Sequence, residues 1–573
     1  MKRNLLFMTV LASLFLAGCS QEEITPNSEN NGSGEATTSY LAVNLMSSDV
    51  SGTRAAAGYE DGTDVENDVE KVRFYFFTAN GAIAPVKLLN GSYVNYYDWA
   101  PGDSDQKDDK DTDDTESVLT ATIVISTKDG DKLPQSIAAV LNPPTINGSS
   151  LLGNTSLELS TLREIVADFA TDGLTSKGKF VMFNSVYGGA NKTEICAVPI
   201  EAKHLQKKSD DAKKNPVTIY VERSVAKVKV ALGTEVASAS SDKLALKDKD
   251  GNDLKVGGEQ VYLKINGWSL TAETTEGNLV KAIDPTWGSD WWNGTGAFAH
   301  RSFWAINSKD AANKHLVNYN GISTPFSGTA KYTNENALDY DTKSPIYRTK
   351  VILKGQLCKA DGLNFTIVRH LGAHFADTYS DNPSDNLPAL KANILSQLTA
   401  NGYNYYTETT SDSETKRLQI EANDLKIVIA TQKNEENSKN NCYVYAQLTD
   451  DAKTKTWYTS SDKTVTTTVS ADDINNNLKD KNVVDWALVW KDGMTYYYYE
   501  IVHHGTGANA TKGVVRNHIY DTKITKIAGL GTPVYDPKEV IYPEKPDEND
   551  HYIAAEINIL SWRVVSNEYA LEW

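Results

Sequence analysis

The sequence predicts an all-β protein made of sandwiches, and three observations carry that expectation. Short runs with apolar residues at every second position recur along the chain. Clusters of Gly, Asn, Asp and Pro separate them as turns. Few stretches space their apolar residues as a helix would. Composition agrees, with 29 Tyr against 5 Met in 573 residues, since aromatic and β-branched side chains suit pleated, half-buried surfaces. No period repeats, which argues against propellers and solenoids.

Length allows about two to four domains. The formal net charge of −18 and pI near 5.1 argue against a nucleic-acid partner, which requires a basic face. Lys2 and Arg3 precede an apolar stretch over residues 5–15, too short to span a bilayer and typical of a secretion signal. Leu16-Ala17-Gly18-Cys19 follows and resembles a bacterial lipobox, which implies cleavage before Cys19 and its diacylation. Residues 20–35 are polar and rich in Gly, Asn and Ser, a flexible tether.

Residues 39–46 (SYLAVNLM) form an alternating strand with Leu41, Val43 and Leu45 on one face. The segment 47–57 (SSDVSGTRAAA) is small, polar and soft, with Arg54 its one basic residue. An exposed arginine in such a loop suits a trypsin-like protease cutting between Arg54 and Ala55. Strands are expected at 71–77, 118–126, 136–141, 180–183 and 194–200. A short helix is expected at 162–169. Asn215-Pro216 punctuates, and 217–230 (VTIYVERSVAKVKV) reads as one long strand with 261–270 as its partner. Further strands are expected at 347–353, 425–430, 442–448, 483–490, 495–502 and 514–527. Residues 387–398 have helical spacing.

Residues 552–573 alternate again. Ile553, Ala555, Ile557 and Ile559 oppose polar neighbours; the parity then slips to Leu560, Trp562 and Val564, and Val565, Tyr569, Leu571 and Trp573 complete the pattern. A one-residue slip turns side chains to the other face, so a bulge or a break into two strands is expected after Ile559. So apolar a segment, behind the polar, proline-dotted leader 532–550, needs a groove to lie in.

Catalytic candidates are weak. His370 and His374 stand four apart, a zinc spacing on a helix, but no Glu follows His370 and Gly372 weakens a helix, so two ordinary histidines are expected. His503-His504 reads as an exposed pair. Residues 248–253 (DKDGND) resemble the start of a calcium loop, but the glycine is one place early and no bidentate Glu follows, so an acidic turn is favoured and calcium is the minor reading. Cys196, Cys358 and Cys442 allow one disulfide plus a free thiol, or buried thiols throughout; no C-x-x-C pair exists. Trp287, Trp291, Trp292 and Trp304 are either an aromatic binding surface or core residues. No P-loop, Rossmann or nucleophile-elbow pattern occurs, and no enzyme is expected.

With these pieces placed, the chain resembles the Bacteroidales fimbrillins, in particular the Mfa-type major subunit of short fimbriae. The resemblance rests on the lipobox at Cys19, the strand-then-arginine segment to Arg54, VTIYVERSVAKVKV, VVRNHIYDTKITKI at 514–527, and the terminal strands to Trp573. Residues 285–510 match nothing recognisable.

The resemblance implies two transthyretin-like β-sandwich domains in tandem, with few short helices and C-terminal donor strands. The implied division is a signal peptide at 1–18, a lipidated tether and first strand at 19–54 removed by cleavage, sandwiches at 55–215 and 216–531, and a linker with donor strands at 532–573. It implies a lipoprotein precursor at the outer membrane, a trypsin-like surface protease, and a shaft polymerised head to tail with other copies, with anchor and tip subunits at its ends. Leu41, Val43 and Leu45 would be displaced. Their groove would take a neighbour's donor strand: Ile553, Ala555, Ile557, Ile559, Leu560, Trp562, Val564, Tyr569, Leu571 and Trp573. Host or bacterial receptors are the implied adhesion partners. The alternatives are a tip or accessory adhesin and a monomeric glycan-binding surface lipoprotein.

Overall fold

The structure is a computed structural model. It describes residues 38–47, 62–87, 92–102, 106–107, 118–126, 133–189, 193–239, 243–248, 250–284, 300–307, 314–337, 348–382, 385–411, 414–430, 443–504, 511–542, 551–560 and 565–569. The expectations on Cys19, Arg54, Ala55, Cys442, Trp287, Trp291, Trp292, Trp562, Val564, Leu571 and Trp573 lie outside the described residues.

Strands dominate, with few short helices, so the protein is all-β. In chain order, β1 (Thr38–Ser47), α1 (Asp64–Asn67), β2 (Val72–Phe77), β3 (Tyr96–Trp99), β4 (Val118–Ser126), β5 (Ser136–Leu141), β6 (Met182–Asn184), β7 (Leu205–Gln206), α2 (Ser209–Ala212) and β8 (Val217–Arg223) make the first unit. Its main sheet runs β4-β1-β8-β6-β5-β2-β3. Phe74, Phe76, Ile123, Ile137 and Ile219 fill one buried core under it.

The expected long strand 217–230 is two strands in two sheets. β8 ends at Arg223; after Ser224 the chain enters β9 (Val225–Leu232) in a separate sheet. Val217–Arg223 therefore completes the first sheet and does not open a second one. Nor does 261–270 pair with this run: β10 (Leu244–Ala245) and β11 (Tyr262–Thr271) are neighbours in another sheet. The alternation of 217–230 suits a strand on either side of Ser224, which is why the break is invisible to periodicity.

β12 (Lys331–Asn334) and β13 (Lys350–Cys358) follow. Next comes a segment foreseen only as scattered strands and one helix: β14 (Ile367–His370), β15 (Ala373–Ala376), α3 (Pro388–Ala400), β16 (Tyr406–Ser411), β17 (Glu414–Gln419), β18 (Leu425–Ile429), β19 (Tyr443–Leu448), α4 (Ala471–Lys479) and β20 (Ala487–Trp490). Leu390, Ile394 and Leu398 of α3 pack with Leu425, Val444 and Trp457 into a core of their own. The chain then returns as β21 (Met494–Glu500), which pairs directly with β13, so this unit is an insertion between two adjacent strands.

β22 (Ile519–Gly529), β23 (Thr532–Pro533), β24 (His551–Leu560) and β25 (Val565–Tyr569) complete the described elements. Two five-stranded sheets, β12-β9-β22-β24-β25 and β10-β11-β13-β21-β23, enclose a second core. Val228 and Val230 of β9 meet Tyr520 and Ile524 of β22, Trp268 and Leu270 of β11, and Tyr497 of β21 there. This is a face-to-face sandwich in which alternate residues point inward.

Candidate assembly site

β1 is an interior strand. It pairs antiparallel with β4, Leu41 opposite Ile123, Val43 opposite Ala121 and Leu45 opposite Leu119. On its other side it pairs antiparallel with β7 at Tyr40 and Leu41, then parallel with β8 from Val43 opposite Val217 to Ser47 opposite Val221. Leu41 and Val43 are fully buried and Leu45 is 2% exposed. Ala42, on the opposite face, is also buried, and α2 packs against the strand. Leu41, Val43 and Leu45, the expected displaced residues, thus all belong to the first core. A small cleft at its end is lined by Leu45, Asn67, Leu119, Val221 and Arg223.

The C-terminal stretch breaks into two strands, as the parity slip predicts. β24 runs antiparallel to β22 in its own chain, with Ile553, Ala555, Ile557 and Ile559 opposite Ile527, Ile524, Thr522 and Tyr520. Those four β22 residues are all buried. Leu560 stands opposite Ile519. β25 then pairs with β24, Val565 opposite Ile559 and Tyr569 opposite Ala555.

Between these two places lies a buried polar junction that periodicity did not reveal. Glu222, Arg223, Lys227, Arg516 and Asn517 come from the two strand motifs that carry the family resemblance, and Glu66, Lys281, Tyr332 and Glu335 come from elsewhere in the chain. Arg516 and Glu335 are fully buried and pair at 3.2 Å; Arg516 also donates to the carbonyls of Leu279 at 3.0 Å and Asn278 at 2.5 Å. Lys281 pairs with Glu222 of β8 at 3.3 Å and donates to Ser302 O at 2.7 Å. Burial pushes the Glu222 carboxyl up and the Lys281 ammonium down from their ordinary values. Arg223 donates to Glu66 O at 3.1 Å, to the Asn67 side chain, and to Asn517 Oδ1 at 3.4 Å. Glu66 of α1 pairs with Lys227 of β9 at 2.7 Å and accepts from Tyr332 Oη at 2.6 Å.

The V-V-R-N-x-I-Y pattern now has a physical account. Val514 joins the second core and Val515 the first. Arg516 holds the buried ion pair. Asn517 adopts a left-handed backbone with φ 56°, a conformation Asn tolerates, and its N–H donates to Val225 O at 2.8 Å. Tyr520 Oη accepts from Val515 N at 2.8 Å. The available signal was the charge inside an alternating strand: Glu222, Arg223 and Lys227 on β8 and β9, Arg516 beside β22.

The other candidates resolve differently. His370 and His374 lie on a β-hairpin, not a helix. His370 pairs with Ala373 and Arg369 with His374, around a Leu371-Gly372 turn with φ of 52° and 75°. Opposed residues share a face, so the two histidines point to opposite faces. His503, expected exposed, is buried: Nδ1 meets Tyr520 Oη at 2.8 Å and Nε2 meets Phe303 O at 2.5 Å. The Asp248 carboxylate serves its own turn, accepting from Asn252 N at 2.8 Å and Asp250 N at 2.9 Å. Among the described residues no three His, Cys, Asp or Glu side chains group as metal ligands. Trp304 is a fully buried core residue. Cys196 and Cys358 are both buried.

Fold and site together define an all-β protein in which one continuous run joins two sheets, β8 beside β1 in the first and β9 beside β22, which carries β24, in the second. Residues 489–568 match the family described as major fimbrial subunit protein type IV, fimbrillin, C-terminal. The match spans β21 to β25, includes the V-V-R-N-x-I-Y pattern, and agrees with the fimbrillin resemblance of the sequence. It supports a fimbrial or adhesion role. A search of curated proteins gives no match. Among solved structures, a candidate cell adhesion protein from Parabacteroides distasonis ATCC 8503 shares 10% identity, covering 92% of this chain and 100% of its own, with a TM-score of 0.35. A fimbrial assembly protein from the same organism shares 12%, covering 68% and 98%, with a TM-score of 0.28. The tip fimbrial protein Mfa3 from Porphyromonas gingivalis, with C-terminal truncation, shares 11%, covering 92% and 100%, with a TM-score of 0.27. At TM-scores below 0.5 these likenesses carry no argument about this chain.

Proposed function

We propose that the protein is a fimbrial shaft subunit that polymerises by exchange of β-strands. The observation that carries this reading is the position of β1: an N-terminal strand, buried in the middle of a sheet, joined on either side to segments of small and polar residues. In this reading residues 1–18 are the signal peptide, Cys19 carries lipid at the outer membrane, and 19–54 leave together when a trypsin-like surface protease cuts between Arg54 and Ala55. The body then spans the sandwiches from residue 55 to 531. Loss of β1 bares the apolar wall of β4 and β8 and two unpaired strand edges, a template for another strand. Burying three large side chains such as Leu41, Val43 and Leu45 contributes roughly 5–9 kcal/mol, so a replacement comb of similar character is strongly favoured. Residues 551–573 of a neighbouring copy supply that comb, and a head-to-tail contact that does not close makes a fibre. Anchor and tip subunits would end the fibre, and host or bacterial receptors would be its adhesion partners.

Docking of β24 in its own sheet favours a second reading, a tip adhesin or a monomeric lipoprotein that never donates the strand. One experiment separates them: N-terminal sequencing of protein from sheared surface filaments, beside an Arg54→Ala strain. A start at Ala55 and loss of filaments in the mutant is the expected result. A lipidated Cys19 start with no filaments would sink the shaft reading.

A further inference from the structure

The β1 slot and the C-terminal strand pair are linked by one unbroken run of chain, which touches β1 directly and reaches β24 through β22. β8 holds β1 through the parallel ladder ending at Val221 opposite Ser47. Three residues on, Ser224 is fully buried and donates its N–H to Val181 O at 2.9 Å. β9 then pairs parallel with β22 from Lys227 opposite Ile519 to Leu232 opposite Ile524. β22 in turn carries β24. The crossing is clamped on every side. Arg223 grips Glu66 O and Asn67 of α1 and Asn517 ahead of β22. Glu66 reaches across to Lys227. Leu45 of β1, Asn67 and Arg223 line the same small cleft, so removing β1 takes away packing beside the clamp.

We infer that filling of the β1 slot and docking of the C-terminal strand pair are coupled through the β8–β9 run and its Arg223 clamp, so that both are held together and released together. The sign follows from shared support: Arg223, beside the cleft that Leu45 of β1 lines, also holds Asn517 at the entry to β22, the strand on which β24 docks. The inference rests on the strand-exchange reading only in that the slot can be emptied. Its consequence is that an uncut subunit offers neither a groove nor a donor, and a single cut makes both available.

Amide hydrogen exchange over residues 551–560 tests this. Uncut full-length chain is compared with chain trimmed of β1 by trypsin and kept dilute, with and without a synthetic peptide of residues 38–47. Exchange is expected to rise about tenfold on trimming, within the usual range of allosteric coupling, and to fall back with peptide. Leu45→Ala in the uncut chain should raise it too, without any cut. Arg223→Met, or Arg223→Lys if the first does not fold, should abolish the dependence on peptide. Exchange in β13 serves as the internal reference for global unfolding. Unchanged exchange at 551–560 while the peptide binds would overturn the coupling and leave strand exchange standing. A trimmed chain that neither binds the peptide nor polymerises would sink both.

Discussion

Glu66 shows how much one side chain can hold. It is fully buried, and burial alone would raise its carboxyl; hydrogen bonds from Lys227, Tyr332 and Thr63 outweigh this and hold it below the ordinary 4.5. Asp98 follows the same pattern, burial opposing but Arg73 prevailing. A carboxylate lowered in the fold stabilises it fully above its unfolded value, and that stability drains away as pH falls through the lower folded value. Acid titration should therefore leave the protein intact down to about pH 4.5 and destabilise it progressively below, with Glu66→Gln flattening that fall. At pH 7 Glu66→Gln takes the carboxylate away from the buried Lys227, and urea unfolding should show a loss of about 3–5 kcal/mol. The Glu222–Lys281 pair should behave otherwise. Either single change to Leu or Met should cost several kcal/mol, while the double Glu222→Leu, Lys281→Met chain should be neutral or more stable, because two desolvated charges are removed together. The Cys196 thiol, pushed up to about 11 by burial, should react with a thiol reagent only on unfolding.

At the scale of elements, single strands were legible in sequence along the chain, and how the middle of the chain pairs was not. Alternation located β1 and β4, because one apolar face of each is buried in a core and that is what period 2 records; the same pattern located β24, and β5 was located by a continuous apolar run buried on both faces. The β8–β9 crossing was not legible: both halves are genuine strands, and nothing about Ser224 as a residue type announces a change of sheet. The insertion was missed for another reason. β13 and β21 are neighbours although more than a hundred residues apart, and pairing across such a distance leaves no trace in local pattern. α3 was legible by its spacing of Leu390, Ile394 and Leu398, its start to within one residue, but its cap was not. Leu387, at the N-cap, has no capping oxygen, and Asp377, distant in sequence, accepts from Leu390 N at 2.9 Å and Ala389 N at 3.2 Å. Asp377→Ala should cost about 1 kcal/mol in thermal or urea unfolding, the usual loss of a cap.

For the whole molecule, the insertion makes a divisible architecture. Residues 367–490 carry a core of their own and enter and leave between β13 and β21, which remain paired to each other. Replacing 360–491 by a two-residue Asn-Gly turn, which suits a tight hairpin, should leave both other cores folded. The melting temperature should drop, because Phe365, Ile367, Leu488 and Trp490 leave the second core. An insoluble or molten chain would show instead that the insertion is a structural brace. Trimming and filament formation should survive the excision, since β1, β8, β9, β22 and β24 all lie outside it.

The interior position of β1 also has a mechanical side. The strand is 10 residues long and bonded along both edges, so a pull on its tether acts along the strand axis. Such a load is shear: the rungs of both ladders resist together, and none can be peeled first. A precursor held to a surface through this strand would therefore resist being torn off by flow. On the strand-exchange reading, one broken peptide bond between Arg54 and Ala55 would cut the strand from the body with no force at all. On that reading the strand withstands tension and yields to chemistry.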